Sequence, residues 1–275
     1  THTSLPLDED RWHETDTVTR ALLFGLGSVG TVGDNKNSVK IIGDAADRWA
    51  QGYFVYDSKK SGSMTVSHLR FGPEPIQSTY LVDEADVVAC HQFGLLDRVD
   101  VVAPAKRGGT LLLNAPYPAD ELWEHLPDRV RAGIIERNLT VYTIDAARIA
   151  ADVGMPGRIN TVMQPCYFRV ADVMPLDDAI TSIRTSIEET YGKRGSIVIE
   201  RNQAAVDRAL DELQVVPVPA GVTVESAPAP ISLPTDGDFV DRVTRIMLAG
   251  DGDRLPVSAL PVDGTFPTGT TAIEK

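Results

Sequence analysis

The sequence predicts an α/β fold: a three-layer α/β/α domain with a largely parallel sheet, followed by an extended proline-rich connector. Short apolar or alternating runs, typical of strands, are interspersed with longer segments of helical periodicity. Residues 216–234 instead hold repeated prolines without periodicity, which indicates extended chain. We therefore expect an N-terminal arm at residues 1–15, a domain at 16–215 and a connector at 216–275.

The domain begins with a strand, a glycine-rich turn and a helix within residues 19–42. Residues 21–24 are continuously apolar, and Val32, Val39 and Ile42 fall on one helical face. Closely spaced glycines stand between the two elements: Gly25, Gly27, Gly30 and Gly33. Glycines let the backbone turn tightly and approach an anion, which the N–H groups and dipole of the following helix attract. The turn predicts a phosphate site, although a G-x-G-x-x-G pattern alone is not specific.

The remaining elements follow from the same patterns. Residues 64–71 alternate apolar and polar side chains, as in a half-buried strand, and with residues 76–82 they predict an antiparallel piece. Residues 109–114 are an apolar run that suits a central parallel strand. The other predicted strands are 52–57, 86–91 and 139–144. The predicted helices are 118–136, 145–153, 159–173, 176–191 and 239–248.

Composition limits the classes of molecule that the chain is expected to bind. The net charge of −13 argues against a nucleic-acid or anionic-membrane partner, because no basic face could be large. No apolar run approaches the roughly 20 residues that span a bilayer, and no leader is recognisable. Cys90 and Cys166 lie far apart and outside any C-x-x-C pattern, so we expect two buried free thiols in a reducing compartment, the cytoplasm. No metal-ligand spacing is found.

Several polar residues allow both a functional and a structural interpretation. Asp57 follows a strand and suits either a ribose hydroxyl or a turn cap. His68 and His91, the latter beside a cysteine, are better explained as structural, because no orienting Asp or Asn can be placed by spacing. Arg70 and Arg158 suit an anion clamp or an ion pair equally. We predict no catalytic residue in the chain.

Several segments resemble the central, gamma-type domain of pyruvate:ferredoxin (flavodoxin) oxidoreductases. They are G-L-G-S-V-G-T-V-G-D-N-K-N-S-V-K-I-I-G at residues 25–43, Q-G-Y-F-V-Y-D-S-K-K-S-G at 51–62, T-V-S-H-L-R-F-G at 65–72, G-R-I-N-T-V-M-Q at 157–164 and L-P-V-S-A-L-P-V-D-G-T-F-P-T-G-T-T at 255–271. The resemblance covers essentially the whole chain, including the connector that in the family precedes a ferredoxin-like domain. Val29 departs from the Asp of many members.

The resemblance implies a role in binding coenzyme A within a larger enzyme. That enzyme converts pyruvate to acetyl-CoA with thiamine diphosphate, Mg²⁺ and [4Fe–4S] clusters housed in other domains, and reduces ferredoxin or flavodoxin as a homodimer. The isolated chain is expected to be inactive. The implied coenzyme A contacts are the glycine loop and its flanks, a lysine pair and one asparagine: Gly27, Ser28, Gly30, Thr31, Val32, Gly33, Asn35, Lys36, Lys59, Lys60 and Asn160.

Two other functions remain open on the residues alone. The glycine loop also suits NAD or FAD in a free-standing oxidoreductase, although the catalytic residues of such an enzyme are not evident. The acidic surface also suits a scaffolding module that binds no ligand. A comparison of coenzyme A with NAD as ligands separates these functions.

Overall fold

The computed structural model describes residues 15–27, 31–45, 48–56, 63–219, 238–248, 252 and 255–267. The strands are β1 (Thr19–Leu26), β2 (Trp49–Tyr56), β3 (Met64–Gly72), β4 (Ala85–Cys90), β5 (Ala105–Asn114), β6 (Thr140–Ile144) and β7 (Gln214–Val215). The helices are α1 (Thr31–Ala45), α2 (Leu122–His125), α3 (Asp128–Arg137), α4 (Ala146–Asp152), α5 (Ile159–Ala171), α6 (Leu176–Tyr191), α7 (Ser196–Glu212) and α8 (Arg245–Leu248).

All seven strands form one sheet in the order β2-β3-β1-β4-β5-β6-β7. The four central strands, β1, β4, β5 and β6, are parallel neighbours. Strand β3 pairs antiparallel with both β1 and β2, and β7 pairs antiparallel with β6. The predicted α/β class is therefore confirmed, with antiparallel strands at both edges of a parallel centre.

Residues 21–24 of β1 are all apolar because both faces of the sheet are covered by helices. Ala21 and Leu23 pack with the buried side chains of α1, α4, α5, α6 and α7. Leu22 and Phe24, which point the other way in a pleated strand, pack with α2 and α3. This arrangement gives the three predicted layers and buries the centre of the sheet in two cores.

The strand predicted at residues 76–82 is wrong. This segment follows Pro73 and Pro75, and side chains of β2 and β3 bond its backbone instead of a neighbouring strand. His68 Nδ1 accepts from the Val82 N–H at 3.1 Å, and Arg70 Nη2 donates to the Leu81 carbonyl at 3.2 Å. Residues 76–82 therefore form a covering loop and not a strand.

The predicted helix at residues 118–136 is divided into α2 and α3. Pro127 follows Leu126, whose backbone is extended (φ −77°, ψ 139°), because a residue before proline avoids the helical region. Pro127 then precedes the first turn of α3, where its missing N–H costs nothing. Helix α7 is absent from the predicted elements, although its sequence has helical periodicity.

The chain separates into two compact units. The described residues 15–219 belong to the first unit and residues 238–267 to the second. In the first, the buried Val216 donates its N–H to the Val141 carbonyl at 2.8 Å, so β6 also holds the residue after β7. In the second, the predicted helix at 239–248 is present as a π-helical turn, Val240–Thr244, that continues into α8.

Two further observations concern the described residues. None of their helices combines the length and apolarity needed to cross a membrane. No group of three or more His, Cys, Asp or Glu side chains among them is arranged to hold a metal ion.

Candidate functional site

The predicted strand, turn and helix are present at the start of the domain. Strand β1 ends at Leu26, the Gly27 N–H donates to the Ser63 carbonyl at 2.7 Å, and α1 begins at Thr31. Ser28, Gly30, Lys59, Lys60 and Asp57 lie outside the described residues, as does the side chain of Thr31. The N-terminus of a 15-residue helix thus follows the carboxyl end of the central strand β1.

Polar side chains of α1 fasten the helix to its neighbours. Asn35 is only 3% exposed, and its Nδ2 donates to Ser67 Oγ of β3 at 2.8 Å. Ser38 Oγ accepts from Gln164 Nε2 of α5 at 3.0 Å. These buried bonds explain why polar residues occupy inward positions of α1, and they make Asn35 a residue that positions the helix.

The outward side of α1 carries the charge. Lys36 is exposed, and its Nζ lies 5.4 Å from the centre of the Phe54 ring, a cation–π distance. Val32 is half-buried. Gly33 faces open space: a Cβ added there would meet nothing within 4 Å. Packing among the described residues therefore gives no reason for a glycine at position 33.

Gly33 lines a cleft of about 230 Å³ between α1, α5, α6 and α7. Its lining is largely polar: Asn37, Asn160, Thr161, Gln164, Ser186, Thr190, Tyr191 and Asn202, with Ile183 and Ile187. Two hydrogen bonds brace the walls, from Ser186 Oγ to Asn37 Oδ1 at 3.1 Å and from Thr161 Oγ1 to Asn202 Oδ1 at 3.2 Å. The structure thus brings Asn160, predicted from a distant segment, to the same cleft as Gly33.

The side-chain oxygen of Asn160 is the atom of the cleft that best indicates a ligand. The side chain is 8% exposed, and its Oδ1 is buried with no hydrogen-bond partner among the described residues. A buried acceptor without a partner costs about 1–3 kcal/mol. A ligand that donates a hydrogen bond to this oxygen would remove that cost.

The candidates for nucleophilic chemistry are structural. Burial raises the pKa of the Cys90 thiol to about 12, and this thiol donates to the Gln92 carbonyl at 3.2 Å. Burial lowers the pKa of the adjacent His91 to about 4, and neither of its ring nitrogens has a partner among the described residues. Thiol and imidazole are both neutral at pH 7 and form no reactive pair. Cys90 and Cys166 are buried free thiols, as predicted.

His68 and Arg70 are also structural. Burial lowers the pKa of His68, whose Nδ1 accepts from the Val82 N–H. Arg70 is 1% exposed, donates to Gln51 Oε1 at 3.4 Å and lies over the Tyr80 ring. Its guanidinium therefore fixes the covering loop. Arg158 is exposed and lines a second cleft.

Asn202 is a cleft residue that no motif predicts. It lies on α7 with Ala205, Val206 and Ala209, spaced i, i+3, i+4 and i+7, so it occupies the buried stripe of this helix. Its Nδ2 donates to the Val198 carbonyl at 2.7 Å. A polar residue within an otherwise apolar stripe was the available signal.

Comparisons with protein families and known proteins agree with this fold. A family model described as pyruvate ferredoxin/flavodoxin oxidoreductase matches residues 20–212, and a model described as a domain of unknown function matches residues 225–275. The pyruvate-flavodoxin oxidoreductase of Rhodospirillum rubrum is 52% identical over 275 residues, and the pyruvate:ferredoxin oxidoreductase of Moorella thermoacetica is 47% identical. Both alignments cover 100% of this chain but only 23% and 24% of the relatives.

Solved structures show the same fold at low identity. The pyruvate oxidoreductase subunit PORC of Thermotoga maritima aligns with a TM-score of 0.58 at 20% identity, over 73% of this chain and 99% of that one. The 2-oxoglutarate:ferredoxin oxidoreductase of Magnetococcus marinus aligns with a TM-score of 0.53 at 14% identity, over 72% of this chain and 31% of that one.

Proposed function

The chain belongs to the pyruvate ferredoxin/flavodoxin oxidoreductase family, and from that premise we propose that its polar cleft binds coenzyme A. It spans about a quarter of the length of its curated relatives. The complete enzyme would convert pyruvate to acetyl-CoA and pass electrons to ferredoxin or flavodoxin. Thiamine diphosphate, Mg²⁺ and [4Fe–4S] clusters belong, on this proposal, to the remainder of a homodimeric, cytoplasmic enzyme.

The unpartnered Asn160 Oδ1 is the observation that carries the proposal. Because this atom is an acceptor, it suits an amide N–H, an amino group or a hydroxyl and not a phosphate oxygen. Coenzyme A offers all three donors, in its pantetheine arm, its adenine and its ribose. The other polar side chains of the cleft can bond the remaining groups of such a ligand.

The diphosphate of coenzyme A is assigned to the N-terminus of α1. The first N–H groups of this helix lack partners within it, and the helix dipole adds positive potential there. Backbone groups from Gly27 through Gly33, with Ser28, Gly30, Thr31 and Val32, form the proposed cradle. Lys36 supplies charge from the exposed side of α1, and Lys59 and Lys60 are the other proposed cations.

This placement assigns separate roles to the residues of the chain and to the ligand. The chain's own residues bind and orient the thiol carrier, which accepts the acetyl group when bound. Asn35 holds α1 in position through the bond from its Nδ2 to Ser67. The Magnetococcus marinus structure supports coenzyme A as the type of ligand, because that enzyme was solved with 2-oxoglutarate, coenzyme A and succinyl-CoA bound.

The experiment is Gly33→Ala in the full-length enzyme, with Gly94→Ala as the matched control. An alanine Cβ at either position meets nothing within 4 Å, so neither change should destabilise the fold. Of these two glycines, Gly33 lines the cleft and Gly94 does not. The added Cβ would hold the ligand away from the backbone N–H groups, so we expect Gly33→Ala to weaken coenzyme A binding roughly ten- to a hundredfold, as if one charge-assisted hydrogen bond could no longer form, and to spare pyruvate decarboxylation.

Calorimetric titration with coenzyme A and with NAD distinguishes the candidate functions. Unchanged coenzyme A affinity in Gly33→Ala would remove this residue from the site. Preference of the wild-type enzyme for NAD at this cleft would instead favour a dinucleotide-dependent function, and binding of neither would favour scaffolding.

A further inference from the structure

A cleft of about 390 Å³ lies at the carboxyl ends of β5 and β6. It is lined by residues 116–118 after β5 and 143–145 at the end of β6, with Arg148 of α4 and Asp211 and Glu212 of α7. We refer to it as the β5–β6 cleft. It shares no lining residue with the cleft at Gly33, so the two are separate sites.

The sheet topology opens a crevice at this position. After β5 the chain continues into α2 and α3, which pack on one face of the sheet, and after β6 it continues into α4, which packs on the other. The chain therefore parts at the carboxyl ends of two neighbouring parallel strands. Open α/β sheets bind ligands in such crevices, and sites for small molecules measure about 300–1,000 Å³.

Thr143 places a buried polar atom in the lining of the β5–β6 cleft. It is 2% exposed, and its Oγ1 has no hydrogen-bond partner among the described residues. The buried hydroxyls of Thr65, Tyr167 and Thr244 also lack partners there, but these residues line neither of the two clefts. A buried hydroxyl without a partner lowers stability, so Thr143 indicates a ligand that bonds this oxygen.

The charged side chains of the β5–β6 cleft give it a net charge of −2. Three carboxylates line it: Asp145, Asp211 and Glu212. The guanidinium in the lining is that of Arg148. Nearby ion pairs leave the balance unchanged, because Arg208 and Asp152, which pair at 3.1 Å, add opposite charges. The cleft therefore attracts cations and repels anions.

Arg148 is already engaged by carboxylates. Its Nη1 lies 3.3 Å from Asp152 Oδ2, and its Nη2 pairs with Glu212. Its Nε lies 3.7 Å from Asp145 Oδ2. These contacts hold the guanidinium in place, so an anionic ligand would have to compete with three carboxylates for it.

Residues 116–118 supply an apolar part of the lining. Pro116 and Pro118 flank Tyr117, whose ring stacks on that of His125 with 3.7 Å between the ring centres. The edge of Phe93 meets the same ring at 5.4 Å. The ring of Tyr117 is thereby fixed and can pack against an alkyl chain or a cation.

We infer that the β5–β6 cleft binds an organic cation with N–H donors at both ends of an apolar chain, the chemistry of a diamine or an amino-guanidine. One end lies at the carboxylates, the chain packs against Tyr117, and the other end donates to Thr143 Oγ1. Because the cleft shares no residue with the cleft at Gly33, this inference does not depend on the proposed function.

Agmatine is the probe, because an amine and a guanidine terminate its butyl chain. The matched ligand is 4-guanidinobutanoate, which keeps the guanidine and has a carboxylate where agmatine has the amine. Both are titrated calorimetrically into the full-length enzyme. Wild type should bind agmatine roughly ten- to a hundredfold more tightly, because the carboxylates attract the amine and repel the carboxylate.

Three variants locate the site. Thr143→Val removes the hydroxyl at nearly constant shape and should weaken agmatine binding roughly three- to tenfold. Asp211→Asn removes an exposed charge and should weaken it roughly two- to fivefold. Glu200→Gln changes the charge equally at an exposed acid of α7 that lines neither cleft, so agmatine affinity should stay the same.

The outcomes are distinct from those that test coenzyme A binding. Absence of saturable agmatine binding to wild type, or equal affinity for the two probes, overturns the inference. Unchanged agmatine affinity in both Thr143→Val and Asp211→Asn also overturns it, because the ligand would then lie elsewhere. Coenzyme A affinity should be the same in wild type and all three variants, which shows that the fold is intact.

Discussion

At the scale of single residues, Asn160 ties the fold to the proposed function. A buried side chain whose oxygen has no hydrogen-bond partner among the described residues lowers the stability of the free protein. Such a residue is explained if the bound ligand supplies the missing donor. The G-R-I-N segment draws attention to Asn160, but only the packing of α5 against α1 places it beside Gly33.

Asn160→Leu should separate stability from binding. Leucine has a similar shape and no orphaned oxygen, so we expect the free energy of unfolding to stay the same or to rise by about 1 kcal/mol. Coenzyme A should bind more weakly and raise Tm less than it does in wild type. Thermal unfolding with and without coenzyme A measures both effects, and an unchanged ligand-induced shift in Tm would contradict the assignment.

His91 should make the stability of the chain sensitive to acid. Burial lowers its pKa from 6.5 to about 4, so the folded protein binds fewer protons than the unfolded chain between these values. The contribution of His91 is complete above pH 6.5 and is lost as pH falls towards 4, by at most about 1.4 kcal/mol per unit.

Urea unfolding of the 275-residue chain at pH values from 7 to 5 tests this. His91→Leu should reduce the decline in stability, whereas His125→Leu, at an exposed position, should keep it. Equal declines in wild type and His91→Leu would show that other groups cause the effect.

At the scale of elements, the strand and helix around the glycine turn could be predicted because local signals agree there. β1 is apolar on both faces, and α1 has an apolar stripe. Other elements could not be predicted because tertiary contacts decide them. Side chains of β2 and β3 bond the backbone of residues 78–82, and no local pattern in that segment indicates these bonds.

The bond from Asn35 to Ser67 gives a prediction for α1 as a unit. Asn35→Ala leaves the buried Ser67 hydroxyl without this donor, so we expect a loss of about 1–3 kcal/mol of stability. Because Asn35 faces inward, coenzyme A should still bind to the folded variant at saturating concentration. Amide hydrogen exchange should be faster along α1 than in α3, which packs on the opposite face of the sheet.

Uniform acceleration of exchange in both helices would contradict a local role for this bond. Loss of coenzyme A binding by a fully folded Asn35→Ala protein would instead make Asn35 a ligand contact.

At the scale of the whole molecule, we expect the chain to bind coenzyme A without catalysing the reaction by itself. The described residues carry a cleft with an unpartnered acceptor, whereas the cysteine and histidine that could have formed a nucleophilic pair are buried and neutral. We therefore expect the isolated chain to bind coenzyme A without oxidising pyruvate. Calorimetry together with an assay of pyruvate-dependent reduction of ferredoxin checks this, and turnover by the isolated chain would contradict it.

The structure of the full-length enzyme with coenzyme A bound tests the central claim most directly. We predict that a donor group of coenzyme A lies within 3.2 Å of Asn160 Oδ1 and that the diphosphate lies at the N-terminus of α1 beside Gly33. Coenzyme A bound elsewhere, with Asn160 Oδ1 still unpartnered, would contradict the account.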